Sequence, residues 1–106
     1  AMPLEPGTQV FWAMRQAHAA ESEMGRLADE LAAGLGTAPE FGLLFSCLGR
    51  GPYFFDGEDR DLEVVKARFP GMPLIGAYGG GQIAPLFDGN RQIHNGAVLA
   101  LFGRNV

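Results

Sequence analysis

The chain holds one cysteine, Cys47, at the end of the apolar run "FGLLFSC" (residues 41 to 47). Together with His94 and Asn95 it supplies the residue types of a thiol nucleophile, a base and an orienting amide. Three positions beyond the cysteine, Arg50 lies between Gly49 and Gly51. The glycines allow backbone N–H groups to approach a ligand closely, and the guanidinium is a planar fork suited to a carboxylate or phosphate. These residues define two kinds of chemistry, thiol-based catalysis and anion binding.

Each residue also has a plainer reading. A lone cysteine in apolar surroundings packs as a small core residue. Arg50 can pair with Asp56 or Glu58 inside a turn, and Gly79, Gly80 and Gly81 can form a turn with no ligand. Adjacent residues on a strand point to opposite faces, so His94 and Asn95 reach one thiol together only if a turn intervenes. His18 falls among the polar positions of a helix and reads as solvated. Phe11, Trp12, Phe41, Phe45, Phe54, Phe55 and Phe69 read as core. "GRGP" lacks the G-x-x-x-x-G-K-[ST] pattern of a phosphate loop, and no helix follows "GAYGGGQ" as a dinucleotide fingerprint requires.

The elements that position these residues follow from periodicity. "QVFWAMR" (Gln9 to Arg15) reads as a strand. From about Gln16 the apolar residues Ala17, Ala20, Met24, Leu27, Ala28, Leu31 and Leu35 recur at helical spacing, and Gly34 and Gly36 stop the helix. "FGLLFSC" is apolar throughout and reads as a central strand. A second helix is expected from near Asp56, with acidic residues at its positive end and Lys66 and Arg68 in its last turn before Pro70 and Gly71. "PLIGAY" (Pro73 to Tyr78) is the next strand. The Asp88-Gly89-Asn90 turn signal then leads into "IHNGAVLALF" (residues 93 to 102), read as a terminal strand pair.

The expected order is β-α-β-α-β-β-β, an α/β fold with a mixed sheet and two crossover helices on one face. The loop from Cys47 to Gly57 leaves the C-terminal end of a strand, where α/β folds place ligands. Two helices cover one face only, so the other awaits a missing N-terminal segment or a second copy of the chain.

With 106 residues the chain is expected to form a single domain, and its formal charge of −4 disfavours nucleic acid and anionic membranes. One cysteine forms no internal disulfide and no cysteine-based zinc site, which fits a cytoplasmic setting. No apolar stretch reaches the roughly 18 residues of a membrane helix. No cofactor is implied.

"FSCLGRG" (45 to 51), "FPGMPLIGAYGGGQIAP" (69 to 85) and "IHNGAVLALF" (93 to 102), in that order, resemble the C-terminal half of FIST sensory domains. "VFWAMRQAHAAESEM" (10 to 24) resembles the strand and helix that precede them in that family. The resemblance implies a ligand-sensing module, with residues 1–106 a piece of a longer protein lacking its N-terminal FIST half and coupled to an output signalling domain. It implies a small-molecule ligand such as an amino acid. The family's "FSCxGRG" falls on Ser46, Cys47, Gly49, Arg50 and Gly51, its "GxYxxGEIxP" on Gly76, Tyr78, Gly81, Gln82, Ile83 and Pro85, and its "HNxT" on His94, Asn95 and Ala97. Gln82 stands where the family has glutamate and Ala97 where it has threonine. Glutamine keeps an acceptor but loses the charge that would hold an ammonium group.

The expected ligand-binding residues are therefore Cys47, Gly49, Arg50, Gly51, Tyr78, Gln82 and Asn95, with Arg50 on a ligand carboxylate. The competing readings are an enzyme with Cys47 as nucleophile and a degenerate module that serves only dimerisation.

Overall fold

The structure is a computed structural model that describes residues 3–104. Helix α1 spans Ala17–Leu35 and ends where Gly36, at φ 75°, takes the left-handed conformation and donates its N–H to Ala32 O. Strand β1, Pro39–Cys47, follows, then a single 3-10 turn over Leu48–Arg50. Helix α2 is Arg60–Arg68, and strands β2 (Leu74–Gly79), β3 (Gln82–Leu86), β4 (Gly89–Ile93) and β5 (Ala97–Gly103) complete the chain.

A three-stranded mixed sheet has the order β2-β1-β5, with β2 parallel and β5 antiparallel to β1. The α/β class and the mixed sheet are as expected. Helix α2 is the crossover that parallel β1 and β2 require. Gly76 stands opposite Leu44, and a β-carbon there would overlap the Leu44 carbonyl, so the close approach of β2 to β1 needs glycine.

The first expected strand is absent. Residues 9 to 15 run as irregular chain, with Phe11, Trp12 and Met14 at 90%, 101% and 81% exposure. The run pairs with neither outer edge of the β2-β1-β5 sheet, and without a pairing neighbour it has no layer in which to bury its side chains. Phe11 and Trp12 are consequently not core, and α1 enters the sheet from irregular chain instead of crossing between two strands.

Helix α2 also begins later than Asp56. Asp56 and Gly57 both have positive φ, 55° and 88°, which turns the chain, and Asp59 is the cap, accepting a hydrogen bond from Leu62 N at 3.3 Å. The hairpin turn lies one step earlier than its sequence signal: Leu86 pairs with Gly89, so Phe87 and Asp88 make the turn and Gly89 and Asn90 belong to β4. Strand β4 pairs with β3 in a separate two-stranded sheet, and β5 joins β1, so residues 93 to 102 do not form a strand pair among themselves.

The core is Met24 of α1, Leu44 of β1 and Val64 and Val65 of α2, with Phe69, Met72, Leu74, Ala97 and Leu99 packed against it. Arg68 crosses Gly25 to reach Asp29 at 2.9 Å and ties the two helices together. Alternation sends Leu43, Phe45, Ile75, Ala77, Val98 and Phe102 to the opposite face. Among the described residues no helix lies there. Phe41 stacks on Phe102 with ring centroids 4.6 Å apart, and Phe41, Phe45, Ile75 and Phe102 are all exposed.

Candidate functional site

The C-terminal end of β1 delivers Ser46, Cys47 and Arg50 to one rim of the sheet, and the sheet divides them. On the helix side, Arg50 makes a bidentate pair with Asp61 of α2, Nε to Oδ2 at 2.8 Å and Nη2 to Oδ1 at 2.7 Å. Ser46 Oγ donates to the same carboxylate at 3.4 Å, and Arg50 Nη2 also reaches Ala20 O at 3.4 Å. The hydrogen bonds that Arg50 donates to Asp61 hold the guanidinium even more firmly protonated than usual. Asp61 is 1% exposed. The internal partner is therefore neither Asp56 nor Glu58 but Asp61, in the first turn of α2.

Tyr78, opposite Ser46 in the register, belongs to the same side. Burial, followed by the neighbouring Asp59 carboxylate, pushes its phenol well above the ordinary range. Tyr78, Asp59, Ser46 and Leu62 line a cleft of about 220 Å3 where Gly76 leaves the edge of β2 without a side chain.

On the rim itself, Arg15 is the residue that the sequence reading missed. Its Nη1 donates to Gly49 O at 2.8 Å and to Asn95 Oδ1 at 3.0 Å, and its Cζ lies 4.8 Å from the centre of the Phe54 ring. The available signal was a lone cation closing an apolar run. Asn95, at φ 58°, turns the chain between β4 and β5. Its carboxamide occupies the space that a side chain at position 49 would need, so Gly49 makes room for Asn95. Gly51 ends the 3-10 turn, donating to Leu48 O at 3.1 Å. Of the three aromatics that follow, Phe55 is buried, Phe54 is half-buried under Arg15 and Tyr53 is fully exposed.

Cys47 is buried, and backbone hydrogen bonds from Gly49 and Asn95 lower its thiol pKa, with burial opposing and the Arg15 and Arg50 charges assisting. The residues expected to act with it go elsewhere. His94 Nδ1 faces Gly80 O at 3.3 Å, and the Asn95 side chain is held by Arg15. Among the described residues no imidazole bonds the thiol, so the nucleophile and base pairing of a thiol enzyme is not assembled.

Gln82 sits on the open face of the sheet with Phe45, Ala77, Gly79, Ile83 and Val98 around a cleft of about 330 Å3. It is 6% exposed, and both Nε2 and Oε1 are buried with no hydrogen-bond partner among the described residues. The seven residues expected to share a pocket thus spread over three places: Arg50 and Tyr78 on the helix side, Cys47, Gly49, Gly51 and Asn95 at the rim, and Gln82 beneath the open face, with Arg50 also bordering the rim cleft and Tyr78 also bordering the Gln82 cleft.

Arg15, Arg50, Phe54 and Asn95, with Gln16, Ala19 and Ala20, surround a rim cleft of about 290 Å3 at the start of α1. Gln16, at that helix's cap position, makes no side-chain cap and the first turn holds no acidic residue, so its positive end is uncompensated. No helix among the described residues is long and apolar enough to cross a membrane, and no group of three or more His, Cys, Asp or Glu stands close enough to hold a metal ion.

The chain is 35% identical over 100 residues to the uncharacterized protein Rv0628c of Mycobacterium tuberculosis, covering 93% of this chain and 26% of the relative. It is 29% identical over 99 residues to the uncharacterized protein Mb0898c of Mycobacterium bovis, with the same coverage of 93% and 26%. The chain thus spans about a quarter of the length of the curated relatives it matches. No solved structure matches it. The FIST C domain model matches residues 1–85, and the chain belongs to that family of sensory signal-transduction domains.

Proposed function

We propose that this chain is a small-molecule-binding module of a signal-transduction protein and that its ligand is a small carboxylate, amino acids included, held in the rim cleft. The observation that carries this reading is the convergence of two guanidiniums, Arg15 and Arg50, on the uncapped start of α1. An anion there meets the Arg15 guanidinium and the uncapped helix start, while the Arg50 charge is largely balanced by Asp61, and the Phe54 ring supplies an apolar wall.

The two arginines divide the work. Arg50 spends Nε and Nη2 on Asp61, so its role is to hold the rim in place. Arg15 is exposed and uses Nη1 internally, which leaves the outer edge of its fork directed at a ligand carboxylate. Asn95 positions Arg15 through its Oδ1. The uncovered sheet face is the surface on which the N-terminal FIST half or a second copy packs, and an output domain of the longer protein receives the signal.

Calorimetric titration of amino acids and short carboxylates into the intact protein tests the reading. Arg15→Gln is expected to weaken carboxylate binding about tenfold or more, the loss typical of a charge-assisted hydrogen bond. Equal affinity in wild type and Arg15→Gln removes the rim cleft from the function.

A further inference from the structure

The sheet ends at β5 on an edge that nothing blunts. Strand β5, "AVLALFG", has no charged residue and no proline, and its outer side makes no backbone hydrogen bond to any described residue. Cys47 N donates to Gly96 O at 2.9 Å, so alternation along the ladder turns the N–H groups of Ala97, Leu99 and Leu101 away from β1 and toward that edge.

By topology, the run of residues 9 to 15 belongs at the same edge. Both helices pack on the Leu44 face of the sheet, with α1 over β5. Right-handed crossovers on one face step across a sheet in one direction. Because α2 carries the chain from β1 to β2, a strand that enters β1 through α1 lies on the other side of β1, beyond β5. The end of the run is already there, since Arg15 Nη1 holds Asn95 Oδ1 at 3.0 Å just before β5 begins.

The run does not fold back onto its own β5. Gln16 alone, extended at φ −117° and ψ 125°, separates Arg15 from α1, whereas a strand-to-helix reversal takes about two to six residues. The run therefore projects as an arm with Val10, Phe11, Trp12 and Met14 exposed. The Cα radius of gyration is accordingly 15.9 Å, against about 13 Å for a compact chain of this length.

We propose that the arm of residues 10 to 14 completes the sheet of a second copy, adding antiparallel to its β5 edge, so that two chains exchange arms in a twofold dimer.

Exchange of identical elements makes the contact self-complementary and closed. Neither "VFWAM" nor "AVLALFG" carries a charge that opposes the pairing. Phe11 and Trp12 bring roughly 150–250 Å2 each, and the four rings of two arms, with the edges they cover, reach roughly the 1,000 Å2 of a specific interface. The interface uses the edge of the sheet and leaves the open face that bears Ile75 to another partner.

Sedimentation equilibrium of the 106-residue chain, combined with residue-resolved amide hydrogen exchange, tests the exchange. The expected result is a concentration-dependent dimer in which the Leu99 and Leu101 amides are protected. Phe11→Ser with Trp12→Ser changes only exposed side chains, and it is expected to weaken dimerisation at least about thirtyfold. The same variant is expected to speed exchange at Leu99 and Leu101 at least about tenfold while the Gly42 and Leu44 amides, which face β2, stay protected. Ile75→Ser is expected to leave dimer and protection unchanged. A chain that stays monomeric at millimolar concentration, a dimer whose Leu99 and Leu101 amides exchange freely, or a dimer lost in Ile75→Ser and kept in the arm variant overturns the proposal. Protection of those two amides in a monomer overturns it as well, since the arm then closes on its own strand.

Discussion

Arg50 and Asp61 are eleven positions apart and meet in a two-pronged ion pair whose side chains are 13% and 1% exposed. The pair bolts the loop after β1 to the first turn of α2 and borrows Ala20 O from α1, so three elements share one charge cluster. The rim geometry of Gly49, Cys47 and Arg15 depends on that anchorage.

Removing either partner leaves the other charge without its counterpart in a mostly dry site. Arg50→Ala and Asp61→Asn are each expected to destabilise the fold by about 3 kcal/mol, measured by urea unfolding. This differs from the behaviour of a purely ligand-facing arginine, whose loss leaves stability unchanged, and a flat result would return Arg50 to that role.

The Cys47 thiol is expected to ionise below the usual free-cysteine value of about 8.5. A lowered pKa in the folded state means that the thiolate form favours folding, so the contribution is present above the unfolded value and lost as pH falls through the folded one. Thiolate absorbance against pH gives the midpoint, and stability is expected to rise with pH between that midpoint and about 8.5. Because His94 faces Gly80, His94→Ala is expected to leave the thiol titration unmoved, and a shifted midpoint would revive a thiol and imidazole pair.

The face bearing Phe41, Phe45, Ile75 and Phe102 is expected to bind a hydrophobic dye when the 106-residue chain is prepared alone. Phe41→Ser with Phe102→Ser removes the stacked pair and is expected to cut dye fluorescence by about half, with little loss of helical circular dichroism because the core on the other face is untouched. Dye binding that ignores these substitutions would mean the exposed apolar surface lies elsewhere, at Phe11 and Trp12 in the first instance.

Local signals were enough to specify the parts of this protein whose free energies arise within a few residues. Gly36 ends α1 because glycine alone takes the left-handed cap without strain, and Lys66 and Arg68 sit at the negative end of α2. The unbroken apolar run of β1 marked it as the central strand, and the helix count foretold one uncovered face. The motif residues also signalled their family. Tertiary structure alone decided what those residues touch. Arg15 meets Asn95 across 80 positions, Asn95 fills the gap at Gly49, and Arg50 chooses Asp61 over two nearer carboxylates. The same holds for the run from Gln9 to Arg15, which has the pattern of a strand but finds no neighbour to pair with. Periodicity and capping are summed along the chain, whereas pairing depends on which surfaces packing brings together, and the isolation of Gln82 beneath the open face is a property of that packing.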